Sequence, residues 1–303
     1  MATYSFPTRQ ELSDLAGEYG VELDSARPIE GGISNSSFLI NQRFVLTLLD
    51  AHNVASADAL VEVTEHVAHH GIPTNSFLTA STGRKVSAWR GVPAVMKVFV
   101  TGEPIAPASP SLQTVAVGMM HAVHGLPAPS GLRAGVRRFP ANWEGALADW
   151  DCDQLRASIR QALMNFSATD FSSHGQALTH GDFFLDNIIL GDDDRVYILD
   201  WEYAAIDFPV VDLAILLVSN ISNLDADVAE LADEILSSYL SVAPKSRICL
   251  PQLLAAANYM AALLAFHRFC TQNIRHQKVH PDLNSDALIR VADHIHGAMI
   301  RRQ

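Results

Sequence analysis

Cysteine is scarce. The three residues Cys152, Cys249 and Cys270 in a chain of 303 lie far apart, without the paired spacing of a metal site and in odd number for a disulfide framework, so a reducing cytoplasm is the expected setting. Cations are also few. Lys and Arg number 21 against 33 Asp and Glu, a net charge of −12, which argues against a nucleic-acid partner, since that calls for a basic face. An anionic nucleotide stays open, because metal ions and backbone N–H groups offset bulk charge locally. No run of about 18 uncharged apolar residues occurs, so no membrane partner is expected. The start "MATYSFPTRQELSDL" lacks a basic segment followed by an apolar one, so no signal peptide is expected. Repeats and low-complexity tracts are absent. The triplets at Asn35 and Asn165 are read as chance matches to a glycosylation signal. No feature specifies an oligomeric state.

What is present is an apolar fraction of 49% with 18% charged residues, the balance of a well-packed globular chain. The length suits one large domain or two lobes. Residues 8–20 have apolar positions three to four apart and a closing Gly20, which predicts a helix. "ARPIEGGISNSSFLI" and "QRFVLTLLD" predict strands, the first pair joined around Gly31 and Gly32. A helix is expected over 56–70, with Ser56 as N-cap and Gly71 as its stop. "RKVSAWRGVPAVMKVFV" predicts a hairpin turning near Gly91. From about residue 111 helical periodicity dominates: "SLQTVAVGMMHAVHG", "CDQLRASIRQALMNF", then 225–241, 251–275 and 283–301. A Gly-, Pro- and Arg-rich loop, "GLPAPSGLRAGVRRFPANW", separates the first two. The segment "VTGEPIAPASPS" reads as a linker. The expected architecture is α+β, with a sheet-rich lobe over 1–102 and a helical lobe over 103–303.

One stretch concentrates oxygen chemistry: "LTHGDFFLDNIILGDDDRVYILDWE", residues 178–202. "VYILD" reads as a buried strand ending in Asp200, with "IIL" as its hairpin partner and Asp192, Asp193 and Asp194 as the solvated turn. Asp182 and Asn187 then lie on a loop beside the end of that hairpin. Two carboxylates and an amide oxygen are the hard ligands that magnesium with a nucleotide phosphate requires. By role they match the parts needed for phosphoryl transfer: Asp182 to orient the acceptor hydroxyl and take its proton, Asn187 and Asp200 to hold Mg2+. His180 is expected to brace the loop. The alternative, ordinary turn carboxylates, explains one such Asp more easily than the ordered set.

"HGDFFLDN" followed by "ILDWEYAAIDFPVVDLA" resembles the aminoglycoside phosphotransferase/choline kinase superfamily, which implies a protein-kinase-like fold and ATP with Mg2+. The resemblance implies that Asp212 supports the catalytic loop. A D-F-G, an A-P-E and a long activation segment are missing, which favours a small-molecule hydroxyl acceptor over a protein one. "IEGGISNSSFLI", "RFVLTLLD", "HVAHHGIPT" and "WRGVPAVMKVFVTGE" resemble, in order and spacing, the nucleotide lobe of type II homoserine kinases. Gly31 and Gly32 would let backbone approach the phosphates, with Ser34, Asn35 and Ser36 as added donors. Val98 to Val100 would present backbone groups to adenine. The strand lysine that kinases direct at the phosphates is replaced by Thr47, as the homoserine kinase resemblance implies. Glu62 and Glu65, lacking that partner, are read as a solvated helix face.

For the acceptor pocket the candidates are Trp201, Glu202, Tyr203 and Arg268. "DWEYA" is similar to choline kinases, and a choline head would want an aromatic cage. An amino acid would want a cation for its carboxylate, for which Arg268, Arg275 or His267 is available. "NYMAALLAFHRF" reads mainly as core. A homoserine-like amino alcohol is favoured, with choline, ethanolamine or an aminoglycoside as alternatives. A rival of another class is a nucleotide-binding regulatory protein without turnover, which Thr47 and the acidity would suit.

Overall fold

The structure, a computed structural model, describes residues 5–29, 35–105, 110–135, 137–171, 175–221, 227–274 and 284–301. The chain forms two compact units: Met1–Glu103 with Ile189–Leu199, and Pro104–Ile188 with Asp200–Gln303. The hairpin segment within 188–200 therefore groups with the first unit, whereas the sequence placed it with the helical segment.

In chain order the first segment contains α1 (Arg9–Glu18), β1 (Ala26–Pro28), β2 (Ser36–Ile40), β3 (Phe44–Leu48), α2 (Val54–His69), β4 (Val86–Trp89), β5 (Val92–Val98) and β6 (Gly102–Pro104). β1 to β5 form one antiparallel sheet ordered β1-β2-β3-β5-β4. Side chains alternate across a strand, so Ile40, Leu46, Leu48, Ala94 and Met96 share one face. They bury it against Leu12, Leu15 and Tyr19 of α1. The hairpin turns through Arg90 (φ 49°) and Gly91 (φ 84°), with Trp89 opposite Val92, the left-handed pair of a two-residue turn whose twist matches the strands. α2 begins three residues earlier than expected. Asn53 is its N-cap, accepting from the Ser56 N–H at 2.9 Å, while Ser56 Oγ accepts from Asn53 N at 3.0 Å. Ser56 thus completes a reciprocal cap from inside the helix.

The rest of the chain contains α3 (Pro110–His124), α4 (Trp143–Ala146), α5 (Asp153–Ser167), β7 (Ala177–Thr179), β8 (Ile188–Gly191), β9 (Val196–Ile198), β10 (Ala205–Asp207), α6 (Val210–Asn220), α7 (Val228–Val242), α8 (Leu250–Phe269) and α9 (Ser285–Arg301). β8 lies between β6 and β9, and β7 pairs with β10. α8 packs against α5, α6, α7 and α9 and is apolar all round, the mark of a central core helix. With its extension to Asn273 it is long and apolar enough to cross a membrane, but its most apolar stretch is 78% buried inside the fold.

Asn258 is a buried polar residue in the middle of α8. Buried at 1% exposure, it accepts from Asn165 of α5 at 3.0 Å and donates to the Ala292 carbonyl of α9 at 2.8 Å. Asn258→Ala removes both of these bonds, each worth about 0.5–1.5 kcal/mol net. A lowered midpoint in thermal unfolding is the expected result. Asp153→Ala, which removes an exposed carboxylate paired with Arg156, should move the midpoint far less, because exposed pairs contribute little.

Candidate active site

The short strand β7 delivers the chain to His180, held from below by β10: Thr179 Oγ1 donates to the Ala205 carbonyl at 3.1 Å. The loop that follows is anchored by one carboxylate. Asp212, in the first turn of α6, accepts the His180 N–H at 2.9 Å and the Gly181 N–H at 2.8 Å. Its Oδ2 also meets His124 Nε2 at 3.0 Å, and His124 Nδ1 meets the Tyr239 hydroxyl at 2.9 Å. Asp212 is wholly buried. Burial alone would raise its pKa, but the hydrogen bond and charge of His124, with His180, outweigh this and hold it below the usual carboxylate value. Gly181 has φ +74°, and an added Cβ would strike the Tyr203 carbonyl. Glycine is required there by conformation and by space.

The His180 ring is fully buried, edge-on to Trp201 with centroids 4.6 Å apart. The Asp182 N–H donates to its Nδ1 at 3.2 Å, which leaves the ring proton on Nε2. The Asp182 carboxylate is held on two sides. Arg137 Nη2 donates to Oδ1 while its Nε donates to the Gly181 carbonyl at 2.6 Å, and the guanidinium lies over the Tyr203 ring, 3.5 Å from its centroid. Asn187 Nδ2 donates to the Asp182 carbonyl at 2.8 Å and to Oδ2 at 3.3 Å. Asp182 and Asn187 are thus brought together by a single helical turn, Leu185–Asn187.

Asp200 follows β9 with φ 65° and ψ 71°, a left-handed conformation that a non-glycine residue adopts at a cost and that clusters at functional sites. It opens the turn Trp201–Tyr203, whose Trp201 packs on His180 and whose Tyr203 backbone abuts Gly181. The donor set suits magnesium. Asn187 spends its Nδ2 on Asp182, so its amide oxygen is the atom left to bind, and Asp200 carries an exposed carboxylate; both are hard oxygen ligands. Trp201 itself is 1% exposed. Its ring is core beneath His180 and does not line an acceptor pocket, whereas Glu202 and Tyr203 are half-buried.

Around Asp182 the charges come in opposing pairs. Asp186 is exposed, yet the protein packed about it, and then the Asp182 charge, raise its pKa; Arg268 acts against this. Arg268, half-buried at the end of α8, has its pKa lowered by burial. Asp182, Asp186 and Tyr203 counter that fall, and Arg137 adds to it. Arg137 and Asp186 escaped the sequence reading. The arginine-rich loop was visible, but nothing local indicates that Arg137 reaches Asp182. The loop is aligned by β10, through Gly135 N to the Ile206 carbonyl at 3.1 Å, and by the two-point pair of Arg138 with buried Asp207 at 2.7 and 2.9 Å. Arg275 lies outside the described residues.

In the first unit, Gly31, Gly32 and Ser34 lie outside the described residues, and Asn35 is half-buried just before β2. Ser36 is corrected: its hydroxyl donates to Asp50 at 2.6 Å and accepts from Ser5 N at 3.0 Å, so it ties down the chain and is not a phosphate donor. Thr47 is 3% exposed and bonded to Ser37 at 3.1 Å. Glu62 and Glu65 are both exposed, and Glu65 pairs with Lys85. Val98 N donates to the Ser76 carbonyl and Phe99 N to the Arg43 carbonyl, both at 2.8 Å. The Val98 N–H is therefore closed to an adenine, which leaves the Val100 N–H.

Comparison with known proteins follows the same lines. The homoserine kinase of Methylobacillus flagellatus is 26% identical over 221 residues, 70% of this chain and 68% of that protein. That of Rhodopseudomonas palustris is 29% identical over 232 residues, 72% and 70% of the two. Among solved structures, a spectinomycin phosphotransferase in complex with ADP and its antibiotic aligns with a TM-score of 0.70 at 13% identity, covering 97% of this chain and 99% of that one. Choline kinase of Streptococcus pneumoniae aligns at 0.68 and 12%, covering 95% and 97%. The fold is therefore the kinase-like fold that these enzymes share. The sequence model of the Phosphotransferase enzyme family matches residues 25–249, well over half of the chain, and the chain belongs to that family.

Proposed function

We propose that this phosphotransferase transfers the terminal phosphoryl group of ATP to the hydroxyl of a small amino alcohol, homoserine-like before choline-like, with 1–102 as the nucleotide-binding part and 103–303 carrying the catalytic loop and acceptor pocket. The observation that carries the reading is the Asp182 carboxylate, fixed by Arg137 and Asn187 on a loop that Asp212 anchors. Asp182 accepts the acceptor's proton as its oxygen bonds to the phosphorus and the bond to ADP breaks. Bound through Asn187 and Asp200, Mg2+ would neutralise charge on the phosphates. Arg137 and Asn187 keep the Asp182 oxygens aimed, so little reorganisation is needed when the hydroxyl arrives. All three cysteines are free, in keeping with a cytoplasmic enzyme.

The acceptor preference rests on charge balance and on the homoserine kinases among the relatives. Asp182 and Asp186 oppose Arg137 and Arg268, a neutral quartet that accommodates a zwitterion. An amino acid places its carboxylate on a guanidinium, where charge-assisted bonds are strong. A quaternary amine would face two guanidiniums with no carboxylate of its own.

ADP release with homoserine and magnesium is the expected activity. Asp182→Ala should lower it by about 10²–10⁴-fold, the usual contribution of a general base, and near-normal turnover in that variant would refute the role. Asp200→Asn should weaken binding of magnesium–ATP and spare adenosine; calorimetry reads both, and equal loss would indicate a folding defect. Arg268→Ala should raise the homoserine KM more than it lowers kcat. If Tyr203→Ala raises the acceptor KM and Arg268→Ala leaves it unchanged, choline becomes the better candidate.

A further inference from the structure

Kinases bind the nucleotide phosphates with a lysine on the strand that β3 represents, and position 47 holds a threonine with its side chain buried against Ser37. A cation must come from elsewhere. In the β3–β5 pairing Thr47 stands opposite Val95 and Val45 opposite Lys97. Cross-strand partners share a face, and so do residues two apart on one strand. Lys97 therefore projects from the same face as Thr47. The other face is occupied by the core of Leu46, Leu48, Ala94 and Met96 against α1. Two residues along a strand is about 7 Å, a shift comparable to the length of a lysine side chain.

Lysine is rare here, with only Lys85, Lys97, Lys245 and Lys278 in the chain. Two of these belong to the first unit. Lys85 is engaged by Glu65. Lys97 is half-buried, and its ammonium has no ion pair or hydrogen bond among the described residues. An ammonium that no carboxylate of the described residues engages is available to an arriving anion. The position is apt, since Lys97 immediately precedes the segment whose Val98 and Phe99 N–H groups are spent on Ser76 and Arg43.

We propose that Lys97 binds the nucleotide phosphates in place of the lysine missing at position 47. The inference rests on the ATP-dependent reading above, and adenosine separates the two. Calorimetry on the full chain with magnesium should show Lys97→Met weakening ADP by about 10–100-fold, the worth of a hydrogen bond to a charged group, with adenosine unchanged as proof of an intact fold. Lys97→Arg, which keeps the charge, should retain most of the ADP affinity. ADP affinity in Lys97→Met within twofold of the parent would overturn the assignment. So would equal losses in the Met and Arg variants. A parent protein that binds neither ADP nor adenosine would overturn the nucleotide reading itself, and this assignment with it.

Discussion

The carboxylate of Asp212 is the point on which the site hangs. It is buried in the first turn of a helix that is itself buried, and both of its oxygens accept backbone N–H groups of the loop that carries Asp182. Two unpaired amides and an unpaired carboxylate at that depth would each cost several times what a surface bond contributes. The observed loop conformation satisfies all three. The hydrogen bond from His124 helps hold the Asp212 pKa down, and the Tyr239 hydroxyl bonds the far side of the His124 ring. The loop's geometry is thus set from α6, α3 and α7 together with the glycine that its own turn requires.

From that anchor the rest of the constellation follows by contact. Gly181 permits the left-handed turn and the close approach of the Tyr203 backbone. His180 meets Trp201 edge to face, which fixes the start of the turn after Asp200. Tyr203 in turn supports the Arg137 guanidinium, and Arg137 grips Asp182. An aromatic ring beneath a guanidinium and a carboxylate beside it leave Arg137 little freedom, so the charge on Asp182 is held in place and partly compensated before any substrate arrives.

The first unit works differently, because its polar groups are mostly spent on its own architecture. Ser36 and Ser5 bind Asp50, Thr47 binds Ser37, Glu65 binds Lys85, and the Val98 and Phe99 amides serve Ser76 and Arg43. Each satisfied pair removes a candidate from the list of groups that could greet a ligand. Lys97 and the Val100 amide are among the groups of the strand and the segment after it that are not spent in this way.

By itself the sequence determined the main strands and helices, though not α4, α6 or the short strands β6, β7 and β10, together with the hairpin at Arg90–Gly91 and the spacing of Asp182, Asn187 and Asp200, because periodicity, turn residues and a contiguous motif are local properties. It also carried the family, since "HGDFFLDN" and "ILDWEYA" are short, ordered strings. Tertiary structure alone decided which side chains meet. Arg137 lies 45 residues before Asp182, and His124 lies 88 before Asp212; no periodicity connects such pairs. Burial and hydrogen bonding also reassigned residues whose type was suggestive: Trp201 became core and Ser36 a tether. The physical reason is common to all of them. A polar or aromatic group declares its chemistry in the sequence, but whether that chemistry is available depends on which partner the fold brings within hydrogen-bond or stacking distance.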